Sequence, residues 1–209
     1  MKIAVIGASQ GTGYELLRIA LEEGHDITAL LRNPAKLNVS NPRLTIVKGD
    51  ILDPASVAAV TARQDAVCVC IGIPPTRKPV DVYSRGIKSV LSAMGRGKRQ
   101  KLIAVTGSGA GDSKGHGGFF YDRVINPLLL GTAYADKDRQ EAIIKASGTE
   151  WLIVRPGFLT NGPRTSNYRV IDNLAGITAG KISRKDVADF MLKQLTSPTH
   201  FGKTPLLTY

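Results

Sequence analysis

Short apolar runs alternate along the chain with segments in which apolar residues recur at helical spacing. Runs rich in β-branched residues predict about seven strands, at 2–6, 26–32, 43–50, 65–72, 101–107, 150–157 and 204–209. The segments between them predict helices over 14–21, 54–63, 81–94 and 134–147, and a further helix that opens within ISRKDVADF. This alternation predicts an α/β fold, a doubly wound parallel sheet with helices on both faces.

Two of these helices carry start signals. Asp53 is suited to be an N-cap, with Pro54 at the first helical position, although an N-cap role is equally open to Asp50. Ser183 and Asp186 have the spacing of a capping box, with Asp as a shorter variant of the usual Glu. We therefore interpret the polar residues of ISRKDVADF as structural.

Length and composition fit one domain spanning residues 1–209. A chain of 209 residues, 43% hydrophobic and 22% charged, can bury a full core but leaves no room for a large second domain. No segment approaches the roughly 20 uninterrupted apolar residues of a membrane span, and no long apolar stretch precedes Gly7. We expect a soluble, cytoplasmic protein without a membrane partner; its oligomeric state does not follow from the sequence.

The formal net charge of +11 raises the question of nucleic-acid binding. The densest basic cluster, RGKRQK at 96–101, contains no aromatic residue for base stacking and precedes a predicted strand. A solvated helix end is the favoured interpretation, and nucleic acid is not expected as a partner. A phosphate-rich cofactor and an anionic substrate would account for part of the excess charge.

The cysteines and histidines predict no metal site. Cys68 and Cys70 stand two apart in an apolar run, so they would share one face of a strand as small core residues. His25, His116 and His200 lack ligand spacing, and only His116 falls in a predicted pocket loop.

Three glycines separate the first strand from the first helix in MKIAVIGASQGTG. Glycine lets the backbone approach a pyrophosphate, and the positive end of the helix favours the negative charge. The G-x-x-x-G-x-G spacing within a strand–turn–helix unit therefore predicts nucleotide binding. The residues assigned to this cofactor turn are Gly7, Ala8, Ser9, Gln10, Gly11, Thr12 and Gly13.

The end of the second strand bears on which nicotinamide cofactor is preferred. NAD-binding domains carry an acidic residue here for the ribose 2′-hydroxyl, whereas this chain has Arg32, with Asn33 and Lys36 close by. A guanidinium can hold a 2′-phosphate by two parallel hydrogen bonds, so NADP(H) is predicted in preference to NAD(H). The alternative is that Arg32 is only a solvated charge. Asp50, or the backbone of Ile51, would meet the adenine.

Two long irregular stretches, at about 107–131 and 158–180, follow the fifth and sixth strands at the edge where ligands bind. We expect these loops to form the substrate pocket. The candidate wall residues, each of which could instead pack in the core, are Phe119, Phe120, Tyr121, Phe158 and Tyr168.

The chain resembles the atypical short-chain dehydrogenase/reductases over almost its whole length. The resemblance lies in GASQGTG, LLRNPAKL, VKGDILDP, DKDRQEAIIKASGTEWLIVRPGFLTNGP and ISRKDVADFML. It is greatest to the small single-domain NAD(P)H-binding branch that includes biliverdin IXβ/flavin reductase and the NmrA-like proteins. That resemblance implies a Rossmann-type fold. It also implies either an NADPH-dependent reduction of flavins, quinones or tetrapyrroles, or cofactor binding without catalysis.

The resemblance also assigns residues to the nicotinamide end of the cofactor. The segment Pro156, Gly157 and Phe158 resembles the family segment that lines the nicotinamide. The full cofactor assignment adds Arg32, Asn33, Asp50, Ile51, Ile71, Gly72, Thr106 and Lys137 to the glycine turn.

The catalytic residues depart from the family pattern, which uses a Tyr as general acid, a Lys four residues later and a Ser after the fifth strand. Lys137 is the counterpart of the Lys, but Ala133 stands where the Tyr is expected. Tyr134 lies three residues before Lys137, about 60° away from it around the helix. It is either a shifted proton donor or a packing residue. Thr106 and Ser108 flank the position of the Ser, and either hydroxyl could face the nicotinamide.

Two hypotheses from different classes follow. A flat conjugated acceptor can draw its proton from solvent after receiving a hydride, so the missing Tyr does not exclude a reductase. The first hypothesis is an NADPH-dependent reductase of a flavin, quinone or biliverdin-like molecule, in which Lys137 orients the nicotinamide ribose. The alternative is a non-catalytic NADP(H)-binding redox sensor that acts through a protein partner. Epimerase or dehydratase chemistry is disfavoured, because it needs the full Tyr–Lys pair and a larger C-terminal domain.

Overall fold

The computed structural model describes residues 1–95, 100–116, 118 and 130–209. Its strands are β1 (Lys2–Ile6), β2 (Asp26–Leu31), β3 (Leu44–Lys48), β4 (Ala66–Val69), β5 (Lys101–Val105), β6 (Trp151–Pro156), β7 (Phe158–Thr160), β8 (Arg169–Ile171), β9 (Lys181–Ser183) and β10 (Leu206–Thr208). Its α-helices are α1 (Gly11–Glu22), α2 (Pro54–Thr61), α3 (Val82–Met94), α4 (Gly131–Lys145) and α5 (Arg184–Thr196). Residues 96–99 of the basic cluster, and the predicted wall residues Phe119, Phe120 and Tyr121, lie outside the described part of the chain.

The main sheet confirms the predicted doubly wound architecture. Its eight strands run in the order β3-β2-β1-β4-β5-β6-β10-β8, with every neighbouring pair parallel except the last. The sequence predicted about seven strands, and the additional one is β8, which pairs antiparallel with β10. The segment 158–180 is thus not irregular throughout, because it also supplies β7, which pairs with β9 in a separate two-stranded sheet.

Helices cover both faces of the sheet, which explains why its central strands carry apolar side chains on both faces. In β1, Ile3 and Val5 join the core beneath α1 and α5, whereas Ala4 and Ile6 join the core beneath α2 and α3. Cys68 is fully buried in the first of these cores and Cys70 packs against it, as predicted. Burial raises the pKa of the Cys70 thiol to about 12.

The two predicted helix starts differ in outcome. Asp53 caps α2 by accepting hydrogen bonds from the amides of Ala55 at 3.2 Å and Ser56 at 3.1 Å. Ser183 caps α5 by accepting from the amide of Asp186 at 3.0 Å, but the reciprocal half of a capping box does not form.

The carboxylate of Asp186 turns away from the helix start and holds the loop that leads into β8. It accepts from the amides of Thr165 at 2.7 Å and Ser166 at 2.8 Å, and from the hydroxyl of Tyr209 at 2.7 Å. The role is structural, as expected, although the partners differ from those of a capping box. None of the helices in the described ranges is long and apolar enough to cross a membrane.

Candidate functional site

A groove of about 1010 Å³ opens at the carboxyl ends of the parallel strands, beside β1. Its walls come from the glycine-rich turn, the loops after β2, β3, β4 and β5, helix α4, and the segments around β7 and the start of α5. This is the crevice in which open α/β sheets bind their ligands.

The glycine-rich turn passes too close to its neighbours to carry side chains. A Cβ on Gly7 would lie 2.5 Å from the carbonyl oxygen of Cys70, and a Cβ on Gly13 would overlap the carbonyl oxygen of Gly7. Gly7 and Gly11 also adopt positive φ angles of 95° and 66°. Glycine is therefore required here both for space and for backbone conformation.

The start of α1 is open to an anion. Gln10 occupies the N-cap position with an extended backbone and no side-chain hydrogen bond to the helix, and the first turn contains no acidic residue. No side chain of the described residues therefore caps the first amides of the helix, and the positive end of the helix dipole faces the groove. The geometry fits the phosphates of a dinucleotide, as the glycine spacing predicted.

The far end of the groove carries the residues expected at the adenosine half of a cofactor. Arg32, Asn33 and Lys36 line it together with Asp50 and Ile51. Arg32 is exposed and forms no ion pair within the described ranges. The Asp50 carboxylate accepts from the amide of Leu52 at 2.9 Å, so it braces the loop after β3 rather than capping α2.

Lys137 points from α4 into the groove, and its ammonium donates a hydrogen bond to the carbonyl oxygen of Thr106. It also lies 5.2 Å from the ring centroid of Tyr83 and 5.5 Å from that of Tyr134, within the range of cation–π contacts. Burial lowers the pKa of Lys137 to about 8, against the opposing effect of the Glu141 carboxylate.

The Asp136 carboxylate places Tyr83 beside this lysine. Asp136, next to Lys137 on α4, accepts from the amides of Tyr83 at 2.8 Å and Ser84 at 3.2 Å at the start of α3. The Tyr83 ring is almost fully buried, which raises its pKa to about 12. Sequence reasoning missed Tyr83, because its contact with Lys137 depends on the packing of two helices that are distant in the chain.

Thr106 and Ser108 have different surroundings. Thr106 lines the groove, but its hydroxyl donates to the Glu141 carboxylate at 2.8 Å. Ser108 is buried and does not line the groove; its amide donates to the carbonyl of Pro156 at 3.1 Å. Of the two candidates, Thr106 is the one at the groove surface.

Glu141 belongs to a buried ion pair that fixes α4 to the sheet. Its carboxylate accepts from the Arg155 guanidinium at 3.0 Å (Nε) and 2.5 Å (Nη2), and Arg155 is fully buried. Arg155 also pairs with Asp112, in the loop after β5. The arrangement ties Thr106, Glu141 and Arg155 into one network, which Lys137 joins through the Thr106 carbonyl.

Tyr134 does not line the groove, although its ring contacts Lys137. A Cβ on Gly107 would lie 3.0 Å from the Tyr134 hydroxyl oxygen, so the phenol lies against the loop after β5. Ala133, at the family's tyrosine position, is buried beside Tyr83. The described residues therefore place no phenol at the groove surface beside Lys137.

Several other predicted residues lie next to the groove rather than in its walls. Ala8 and Gly13 are part of the glycine turn but are buried and do not line the groove, and Pro156, Gly157 and Phe158 are also absent from the walls. A Cβ on Gly157 would overlap the carbonyl oxygen of Gly180, which shows that this segment is packed against the chain leading into β9. Leu159 and Asn161, a few residues further on, line the groove instead.

Two predicted pocket residues have structural positions. Tyr168 packs edge-on against Phe190, with ring centroids 6.2 Å apart, and its hydroxyl donates to Asp189 at 2.7 Å. The interpretation of Tyr168 as a groove wall is therefore wrong for this structure. The ring of His116 is hydrogen-bonded to the carbonyl oxygen of Ile177 at 2.8 Å and joins the loop after β5 to the loop after β8.

Arg184 was also missed as a residue of the site. It is the first residue of α5, and its side chain reaches the groove beside the glycine turn. The only signal in the sequence was an extra cation next to the Ser183 cap, which is equally typical of an exposed helix start.

Comparison with known proteins agrees with the geometry. Residues 7–198 match a protein family described as NAD(P)H-binding. YwnB of Bacillus subtilis, which is uncharacterised, is 27% identical over 96% of this chain and 94% of its own length. The NAD(P)H azoreductase of Xenophilus azovorans is 23% identical over 95% of this chain and 64% of its own length.

Among solved structures, ChuY, described as an anaerobilin reductase of Escherichia coli O157:H7, superposes with a TM-score of 0.82. The two share 22% sequence identity, and the match covers 100% of this chain and 97% of ChuY. At this identity the likeness establishes the fold.

Proposed function

The chain belongs to the NAD(P)H-binding family. On that premise we propose that it is an atypical short-chain dehydrogenase/reductase that acts as an NADPH-dependent reductase of a flat conjugated acceptor. One observation carries the proposal. A single groove joins an open glycine turn, the Arg32 guanidinium, which has no ion-pair partner among the described residues, and the ammonium of Lys137. The glycine turn and Arg32 suit the pyrophosphate and the 2′-phosphate of a dinucleotide, and Lys137 suits the hydroxyls of its nicotinamide ribose.

The residues divide the binding of this cofactor among them. The amides at the start of α1 receive the pyrophosphate, for which the glycines clear the space. Arg32 receives the 2′-phosphate, with Asn33 and Lys36 beside it. Asp50 and Ile51 lie at the adenine, and Ile71 and Gly72 form the wall between the two ends.

Lys137 serves as the residue that orients the nicotinamide ribose. Its ammonium has three donors, of which one is engaged with the carbonyl of Thr106, so others remain for ribose hydroxyls. Contacts to the rings of Tyr83 and Tyr134 fix the position of the side chain. NADPH, when bound, supplies the hydride for the reduction.

A flat conjugated acceptor suits a site of this kind. No tyrosine hydroxyl of the described residues stands at the groove beside Lys137 to protonate a carbonyl. A flavin, quinone or tetrapyrrole can take its proton from water after reduction, so the site needs only to align the acceptor. The names of two relatives, an azoreductase and an anaerobilin reductase, support this class of substrate.

The second candidate is a non-catalytic NADP(H) sensor, and the observation that favours it is Ala133. This residue replaces the family's general acid, and the neighbouring Tyr134 lies against Gly107 outside the groove walls. Such a protein would bind NADPH and respond to its redox state through a protein partner.

The two candidates are separated by following NADPH oxidation at 340 nm with FMN, riboflavin, menadione, dichlorophenol-indophenol and biliverdin. The reductase turns over with at least one acceptor, and Lys137→Ala loses most of that rate. Lys88→Ala is the matched control, because Lys88 is an exposed lysine of α3 that does not line the groove. Saturable NADPH binding without turnover across the panel would overturn the reductase in favour of the sensor.

A further inference from the structure

Arg184 presents a guanidinium to the groove without an acidic partner among the described residues. Its Nη1 donates to the side-chain oxygen of Asn161 at 2.8 Å and more weakly to the carbonyl of Leu159 at 3.4 Å. Both acceptors are neutral, so they orient the guanidinium without cancelling its charge.

The guanidinium lies directly beside the glycine turn. A Cβ on Gly11 would be 3.8 Å from Nε of Arg184, which makes the side chain a neighbour of the first residue of α1. That helix start has no acidic residue in its first turn and no side-chain cap. Two positive features, the helix end and Arg184, thus face the same part of the groove, and an anion between them would satisfy both.

We propose that Arg184 clamps the pyrophosphate of the dinucleotide from the α5 side, together with the amides of the glycine turn. The inference rests on the proposed cofactor site and extends it to a residue from the other end of the chain. Pyrophosphate is the favoured anion because Arg184 adjoins the turn that receives phosphates, whereas Lys137 and Thr106 mark the position of the nicotinamide. The alternative is that the Arg184 guanidinium binds an acidic group of the acceptor instead of the pyrophosphate.

The expected effect of Arg184 on dinucleotide binding differs from that of Arg32. Both NADPH and NADH contain the pyrophosphate, but only NADPH contains the 2′-phosphate. Arg184 therefore strengthens the binding of both dinucleotides equally, and it contributes little to adenosine 2′-monophosphate, which has the 2′-phosphate and lacks the pyrophosphate.

The test is a set of equilibrium titrations with NADPH, NADH and adenosine 2′-monophosphate at one fixed salt concentration, since phosphate contacts are weakened by salt. In Arg184→Ala the dissociation constants for NADPH and NADH rise together by roughly ten- to hundredfold, while that for adenosine 2′-monophosphate stays unchanged. Arg184→Lys, which keeps the charge but loses the planar fork, falls between the wild type and the alanine variant. Lys185→Ala is the matched control, because Lys185 is the next residue of α5 and does not line the groove.

Three results would overturn the clamp. An unchanged dissociation constant for NADPH in both Arg184 variants, with a raised KM for the acceptor, would assign Arg184 to the substrate. An equal loss of adenosine 2′-monophosphate binding would mean a general disturbance of the groove. Wild-type protein that binds neither dinucleotide would overturn the cofactor site and the clamp together, whereas binding without turnover would leave the clamp standing and reject only the reductase.

Discussion

At the scale of single residues, Lys137 carries an ammonium at a buried position, and burial disfavours the charged form. Burial lowers its pKa from an ordinary value of 10.5 to about 8 in the folded protein. Between these two pH values the unfolded chain binds more protons at this position than the folded protein does. The contribution of Lys137 to the free energy of unfolding therefore rises as the pH rises from about 8 to 10.5.

This rise should disappear in Lys137→Met, which cannot titrate. Urea unfolding at several pH values across that window would show the stability of the wild type increasing relative to the variant as the pH is raised. Lys88→Met, at an exposed lysine, should follow the wild type. Parallel stability profiles for wild type and Lys137→Met would contradict the lowered pKa.

Only some residues of the site could be predicted from the sequence. The glycine turn and Arg32 were predictable, because their chemistry follows from their order along a strand–turn–helix unit. Tyr83 and Arg184 were not, because each reaches the site from a helix that packs there only in the folded protein. Thr106 and Ser108 could not be distinguished until the walls of the groove were known, which include Thr106 and not Ser108.

At the scale of elements, the buried pair of Glu141 and Arg155 fixes α4 against β6 and thereby sets the position of Lys137. Glu141→Leu leaves the buried Arg155 guanidinium with the exposed Asp112 carboxylate as its remaining acidic partner among the described residues. Removing one partner of a buried ion pair costs roughly 3–5 kcal/mol, whereas replacing both by apolar residues is often close to neutral.

Glu141→Leu should therefore lower the free energy of unfolding by about 3 kcal/mol or more, and adding Arg155→Met should recover much of that loss. Chemical denaturation of the single and double variants measures both changes. Asp81→Ala, which breaks an exposed pair with Arg85, serves as the control and should change stability by about 0.5 kcal/mol or less. Additive losses in the double variant would contradict a direct coupling between Glu141 and Arg155.

The elements themselves differ in how far local sequence encodes them. The main parallel strands and the five helices are apolar or periodic over several residues, so their order and type could be predicted. The strands β7, β8 and β9 have three residues each, and each forms only by pairing with a distant segment. β7 pairs with β9, and β8 pairs with β10. Pairing between distant segments is a tertiary property. The segment 158–180 was therefore predicted to be irregular although it contains two strands.

At the scale of the whole molecule, one groove collects residues from both ends of the chain. The glycine turn and Arg32 come from the N-terminal half of the sheet, and Asn161 and Arg184 come from the C-terminal segments. Arg32 and Arg184 are cations that line it without an acidic partner in the described part of the chain. A ligand with anionic groups at separate points along its length explains this distribution, and the net charge of +11 assists its approach.

The most direct test of this account is a fluorescence titration of NADPH and NADH into the wild type and Arg32→Asp. The wild type should bind NADPH more tightly than NADH, and Arg32→Asp should weaken NADPH by roughly tenfold or more while leaving NADH nearly unchanged. The charge reversal places a carboxylate where the 2′-phosphate would lie, so only the phosphorylated cofactor is affected. Equal losses for both cofactors, or equal wild-type affinities, would contradict the assignment of this groove to NADPH through Arg32.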